Sequence, residues 1–194
     1  MAQTLSAILP PGYVRLTGDL SFDVTKTGKK GLWDINQNDP FAVWELTVSY
    51  IREEFEDTPA LRFDDIYSFF LVSGGAMAFL VDDPMDNTAT ARNGEGHVEL
   101  FDGQYRLFKH YKFGPLVYVH PITRPKSGVI LSGGAAGGTL NQNTGIVTGI
   151  SAPGRWDGGF YRPMIFAQSK LRYETDPAGL VRAFDVPLEE NLEI

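Results

Sequence analysis

The histidines are the residues of this chain whose type best suits metal binding. His97, His110 and His120 are its only histidines. Zinc sites usually combine closely spaced ligands with groups that orient the imidazole rings. His110 and His120 fall on neighbouring predicted strands, so these two side chains can lie close together. No acidic partner is patterned with them, and we therefore predict structural or surface roles for the histidines and no metal site.

The segment DDPMDN holds a second set of potential ligands. Asp82, Asp83, Asp86 and Asn87 could offer oxygen atoms to Ca²⁺, which prefers such hard ligands. Their spacing is not that of a calcium loop, which ends in a bidentate Glu. Asx-type hydrogen bonds within a turn account better for these residues, and we predict a turn at this position.

Residues for catalysis are not arranged in a recognisable pattern. The chain contains no GxSxG segment for a nucleophilic serine and no cysteine. Adjacent carboxylates such as Asp64 and Asp65 diverge on a helix or a strand, so they do not converge on one glycosidic bond. We predict that the protein is not an enzyme and uses no cofactor.

Composition and charge restrict the function further. The chain has 194 residues, 43% of them hydrophobic, and a formal net charge of −7. A globular domain is expected from this length, while the acidic balance argues against a nucleic-acid-binding surface, which needs clustered Lys and Arg. The first residues, MAQTLSAILPPGY, resemble neither a signal peptide nor a membrane span. We expect one domain over 1–194, made in the cytoplasm and not inserted in a membrane.

Most of the elements that must position these residues are predicted to be strands. The run FAVWELTVSYI and nearly all apolar segments from His97 onward suit strands, with Gly and Pro clusters between them. One helix is predicted in ALRFDDIYSFFLVSGG, where Phe63, Ile66, Phe69 and Phe70 share a face and Gly74 can end it. TKTGKKG is expected to be a loop, and SGGAAGG a flexible, exposed hairpin tip.

The order of these segments resembles the phage tail proteins of the distal tail type, which also occur in gene transfer agents. The resemblance covers essentially the whole chain, and its N-terminal third matches more loosely. The matching segments are SFFLVSGGAMAFLVDDPMDN, GEGHVELFDGQYRLFKHYKFGPLVYVHPITRPKSGVIL, NQNTGIVTGISAPG, GGFYRPMIFAQSKLRYE and FDVPLEENLEI. Within GGFYRPMIFAQSKLRYE the chain departs from the family, because Arg162 stands where an apolar residue is usual.

The resemblance implies a mainly-β fold: a β-sandwich of the distal-tail belt type, with extended hairpins and one main α-helix. It implies a structural virion protein that forms a ring, commonly hexameric, at the distal end of the tail tube. Such a ring connects the tube to the hub and to receptor-binding or tail-fibre proteins at the tail tip. DNA would pass through it without specific binding, which suits an acidic subunit.

Candidate interface residues follow from chain ends, loops and this resemblance. We expect an N-terminal arm at 1–12 and a C-terminal tail at 186–194 to become ordered on a partner. The candidates are Leu5 and Ile8 in the arm, Lys29 and Lys30 in the basic loop, Gly133 and Gly134 in the glycine-rich tip, Trp156, Arg162, and Leu188, Leu192 and Ile194 in the tail.

The aromatic residues leave a second function open. Three Trp, eight Tyr and thirteen Phe could include platforms for sugar stacking, which would suit a carbohydrate-binding β-sandwich that recognises host surface glycans. Most of the Phe residues fit the core face of the predicted helix and strands. Trp156, in the glycine-rich APGRWDGG, is the exception, because we expect solvent or another subunit to reach it.

Overall fold

The computed structural model describes residues 14–21, 24–29, 32–37, 43–51, 68–72, 77–168, 170–175, 177 and 181–191. Two compact units divide the chain, and their segments alternate along it. The central unit contains Leu80–Pro163. The flanking unit draws on Leu5–Phe79 and Met164–Glu190. Each unit is built around antiparallel β-sheet, which confirms the mainly-β fold class.

Sixteen strands and one short helix are present in the described residues. The first strands are β1 (Val14–Ser21), β2 (Val24–Lys29), β3 (Leu32–Gln37) and β4 (Val43–Ile51), followed by the helix α1 (68–72). Then come β5 (Phe79–Val81), β6 (Thr88–Ala89), β7 (Gly96–Phe101), β8 (Gln104–Phe113), β9 (Leu116–Pro121), β10 (Ile130–Gly133) and β11 (Thr139–Leu140). The last are β12 (Ile146–Thr148), β13 (Gly154–Gly159), β14 (Arg162–Phe166), β15 (Arg172–Thr175) and β16 (Val181–Glu190).

The sheet of the flanking unit has β16 near its centre. Its strand order is β1-β4-β16-β14-β5, and β15 also pairs with β16. Helix α1 supplies Phe69 and Phe70, which pack against Phe166 at ring-centroid distances of 5.9 and 5.0 Å. Phe69 also meets Phe79 edge to face. These aromatic contacts are made by the apolar face that the sequence pattern predicted for the helix. Phe69 and Phe70 are the members of that face that the structure describes.

The sheet of the central unit carries the candidate site. Its strand order is β10-β13-β7-β8-β12-β11, with β6 on β13 and β9 on β8. Asp102 and Gly103 join β7 to β8 with positive φ angles of 47° and 74°, as a type I′ turn requires. The core beneath is formed by Ala89, Val98, Leu107, Ile122, Ala135, Val147, Trp156 and Phe160.

Two expectations about loops and ends are wrong. The expected loop TKTGKKG is largely strand, because residues 25–29 belong to β2 and pair with β3. The expected C-terminal tail 186–194 is strand as far as Glu190, where β16 pairs with β4 and β14. Leu188 is therefore a core residue of the flanking unit and not a free apolar end.

The expectation of a flexible hairpin tip at 133–138 is also wrong. β10 pairs with β13 and β11 pairs with β12, so the segment links two strand pairs and is not the tip of one hairpin. Ala135 is fully buried in the core. A Cβ at Gly134 would lie 2.1 Å from the carbonyl oxygen of Pro153. The glycines here permit close backbone packing, which is a different use of glycine from chain flexibility.

Candidate functional site

Three potential metal ligands meet on one face of the β7–β8 hairpin. His97 and Glu99 are two residues apart on β7, so their side chains point to the same side. His110 follows from β8, and its imidazole ring stacks on that of His97 with centroids 3.5 Å apart and planes 7° apart. The carboxylate Oε1 of Glu99 lies 3.2 Å from Nδ1 of His97 and 3.0 Å from Nε2 of His110. Among the described residues these are the ones grouped closely enough to share a metal ion.

The surroundings of His97 combine a carbonyl group with a cation. The carbonyl oxygen of Gly94 lies 3.1 Å from Nε2 of His97. Nη1 of Arg155 contacts both ring nitrogens of His97, at 3.1 Å from Nδ1. Arg155 comes from β13 and is paired with His97 across the sheet. The Arg155 side chain is exposed, so it can move away from the ring without disturbing the core.

A shallow pocket of about 340 Å³ opens beside this cluster. Its walls come from His97, Glu99 and Arg155 and from the backbone at Gly133, Gly134 and Pro153–Gly154. Gly133 and Gly134 were predicted as interface residues, and the structure places them on this pocket wall. The described part of the chain thus brings an imidazole, a carboxylate and a guanidinium to one solvent-accessible depression.

Burial lowers the pKa of both stacked histidines below 6.5. For His97 the charges of Arg155 and Lys112 lower the pKa further, while the Gly94 carbonyl and the Glu99 carboxylate oppose the shift. For His110 the burial effect comes first and the neighbouring His97 adds to it, again opposed by Glu99. Both rings are therefore mainly neutral at pH 7, which is the form that can donate a lone pair.

The acidic segment forms a turn, as predicted, and its carboxylates are neutralised by cations. Oδ1 of Asp83 accepts a hydrogen bond of 2.9 Å from the backbone N–H of Met85, which is an Asx turn. Asp82 forms an ion pair of 2.7 Å with Lys126. Asp86 accepts hydrogen bonds from Lys109 and Arg162. The carboxylates of Asp82 and Asp86 are thus paired with Lys126, Lys109 and Arg162.

Arg162 and Trp156 do not lie at a surface, so the prediction that they contact another subunit is corrected. Arg162 is 1% exposed, and its guanidinium pairs with Asp86 and approaches Asp83 to 3.7 Å. Trp156 is 0% exposed and donates a hydrogen bond of 2.9 Å from Nε1 to the carbonyl oxygen of Phe108. The expected loop around Trp156 is strand β13, which places its ring in the core.

The other predicted interface residues fall into two groups. Lys29 ends β2, where the structure describes the backbone pairing with Leu32. Leu5, Ile8, Lys30, Leu192 and Ile194 lie outside the described residues. Their roles stay predictions.

Sequence reasoning missed the cluster of His97, Glu99 and His110, although a signal for it was present. The Asp-Gly dipeptide at 102–103 is a strong two-residue hairpin signal. A two-residue turn at this position sets Phe101 opposite Gln104. The same register places His97 opposite Phe108, two residues before His110. His110 therefore lies diagonally across from His97. His110 pairs with Val119 and Lys109 with His120, so His110 and His120 project from opposite faces of the hairpin. The close neighbour of His110 is therefore His97.

The tip of the β8–β9 hairpin was also missed. Phe113 and Leu116 face each other beside a two-residue loop, and their side chains are 84% and 69% exposed. Val117 beside them is exposed as well. Alternation predicted these strands, but it does not say how far a hairpin projects beyond the sheet that supports it.

A scan against protein-family models finds no match, and a search of curated proteins finds none. Within the described residues, no helix has both the length and the apolar character needed to cross a membrane. The functional assignment therefore depends on the sequence pattern and on the geometry given above.

Proposed function

We propose that this chain is a structural virion protein, a subunit of a ring at the distal end of a long phage tail. In this role it contacts copies of itself, and it binds the tail tube on one side and hub or fibre proteins on the other.

The support is the order of the sequence segments, the exposed hairpin tip and the acidic charge.

The exposed tip of the β8–β9 hairpin is the observation that carries this proposal. Phe113 and Leu116 extend the hairpin with two large apolar side chains that nothing in the described part of the chain covers. Single exposed apolar residues are common, but a directly paired set at the end of a hairpin is a typical contact surface. Its chemistry suits an apolar recess on another protein.

A second copy of this chain is the occupant that we propose for the tip. Subunits in a ring make heterologous contacts, in which one surface of each copy meets a different surface of the next. A projecting hairpin suits such a contact because it reaches the neighbour without moving the sheet that carries it. The net charge of −7 is compatible with a ring around DNA, because an acidic wall repels phosphates and does not retain them.

The test compares assembly of the native chain with that of a Phe113→Ser/Leu116→Ser variant. Sedimentation velocity and negative-stain imaging over a concentration series, with and without tail tube protein, should show rings or tube complexes for the native chain. The double variant should stay monomeric with an unchanged unfolding midpoint, since both side chains are already in water. Met85→Ser is the matched control, because Met85 is also exposed but lies in the turn 84–86.

Two outcomes would count against the proposal. A native chain that stays monomeric in the presence of tube protein would contradict the ring, and assembly by the double variant would contradict the role of the tip. The alternative of glycan binding named Trp156 as the stacking platform, and this ring is buried. No observation on the described surface favours that alternative, and a glycan array with the monomer would test it directly.

A further inference from the structure

We propose that His97, Glu99 and His110 form a Zn²⁺ site, with solvent completing the coordination from the adjacent pocket. The inference is independent of the proposed ring, because all three ligands lie on one β-hairpin of one chain. Two imidazoles and one carboxylate are a ligand set that zinc accepts while keeping a further position open.

The spacing of the donor atoms already suits zinc. Bonds of about 2.0–2.1 Å at tetrahedral angles place neighbouring donor atoms about 3.3 Å apart. Oε1 of Glu99 lies 3.2 Å from Nδ1 of His97 and 3.0 Å from Nε2 of His110. The two stacked rings therefore present their nitrogen atoms to a common oxygen. Because a metal lies near the plane of each imidazole that binds it, the two parallel rings must tilt out of their stack to converge on the cation.

Gly94 orients the His97 ring in the way that metal-binding histidines require. A neutral imidazole carries one N–H, so His97 cannot donate both to the Gly94 carbonyl and to Glu99. Donation from Nε2 to Gly94, across 3.1 Å, leaves the Nδ1 lone pair facing the carboxylate. Two lone pairs in contact repel each other, and a cation between them removes the repulsion. A backbone carbonyl in this outer position is a usual partner of a zinc-bound histidine.

Arg155 shows that the cluster attracts positive charge. Its Nη1 atom lies 3.1 Å from Nδ1 of His97 and so competes for the lone pair that the metal needs. Because Arg155 is exposed, it can turn towards solvent when the metal binds. Removing its charge should therefore strengthen metal binding, whereas removing a ligand should weaken it.

The ligand types favour zinc over the harder cations. Imidazole nitrogen suits Zn²⁺, Ni²⁺ and Cu²⁺, while Ca²⁺ and Mg²⁺ prefer sites made of oxygen atoms alone. The pocket of about 340 Å³ leaves room for a bound water molecule beside Glu99. A site with three protein ligands on a rigid hairpin can bind the metal without reorganising the fold.

The first test uses the unmodified, tag-free chain. The chain has three histidines, and NMR titration with ZnCl₂ should shift the ring signals of His97 and His110 while those of His120 stay in place. His120 is an internal control because it is buried and projects from the other face of the hairpin. Unchanged signals from all three rings in a large excess of Zn²⁺ would overturn the proposal, as would a shift of His120 alone.

The second test measures Zn²⁺ affinity by competition with a chromogenic chelator. His110→Asn and Glu99→Gln should each weaken binding by about tenfold or more, and Arg155→Gln should strengthen it. Glu189→Gln is the matched control for the carboxylate, since Glu189 is exposed on β16. Equal affinity in Glu99→Gln and Glu189→Gln would refute the site. If a ligand variant fails to fold, the NMR titration of the native chain still decides the question.

Discussion

Arg162 and Asp86 form an ion pair inside the central unit, 76 residues apart in sequence, with the arginine side chain 1% exposed. Lys109 and the hydroxyl group of Tyr111 converge on the same carboxylate, with the tyrosine oxygen 2.6 Å from Oδ2. Burial and the Asp86 charge raise the pKa of Tyr111, so it remains a neutral hydrogen-bond donor. Such a network fixes one arrangement of β8, Arg162 and the turn 84–86 within the central unit.

Replacing Asp86 by Ala should destabilise the chain by about 3–5 kcal/mol, because Arg162 and Lys109 would keep their charges without the carboxylate between them. Urea denaturation at pH 7 measures the loss. Asp102→Asn is the control, since Asp102 is exposed in the β7–β8 turn and Asn also tolerates its positive φ. The control should change stability by no more than about 0.5 kcal/mol. An Asp86→Ala chain as stable as this control would contradict a structural role for the network.

The stacked pair His97 and His110 should make stability depend on pH. Both pKa values in the folded chain lie below 6.5, so the unfolded chain binds more protons between the folded-state pKa values and 6.5. Stability should therefore fall as the pH drops through this window and stay level above it. The charged groups that shift the pKa values of the pair are Glu99, Arg155 and Lys112. All three are unchanged in the His97→Asn/His110→Asn variant used for comparison.

The measurement compares urea midpoints from pH 7.5 down to 5 for the native chain and a His97→Asn/His110→Asn variant, both in the presence of a chelator. Other acids titrate in both chains, so the difference between the two profiles isolates the histidines. The native chain should lose stability more steeply. If the urea midpoints of the two chains fell in parallel as the pH drops, the two histidines would not contribute to the pH dependence of stability.

Gly134→Ala should destabilise the chain by about 1–3 kcal/mol through overpacking, because the added Cβ would meet the Pro153 carbonyl oxygen and one of the two backbones must move. Ala136→Ser, in the same turn, adds one atom at an exposed position and should be close to neutral. Thermal unfolding of the two variants gives the comparison. If Gly134→Ala unfolds at the same temperature as Ala136→Ser, the glycine serves flexibility and not close packing.

Local patterns in the sequence predicted many of the strands, but not β2 and β3, which lie in and beside the segment predicted as a loop. Alternation and turn residues located β4 and most strands from β7 onward, because these signals act within a few residues. The part of α1 that the structure describes lies within the predicted helix, and its Phe69 packs as the apolar face required. Burial of Trp156 and Arg162 was not predicted, since it depends on which strands become neighbours in the sheet. A glycine-rich context indicated exposure for Trp156, whereas pairing of β13 with β7 and β10 encloses it.

The position of β16 in the flanking sheet has a consequence for the order of folding. β4 ends at Ile51, and the strand that pairs with its free edge begins at Val181. During synthesis this edge must wait until the whole central unit has left the ribosome, whereas the β7–β8 hairpin can close as soon as it emerges. A chain that stops before β16 would present the unpaired edge of β4 to other proteins. The flanking sheet can therefore be completed only after the central unit has been translated.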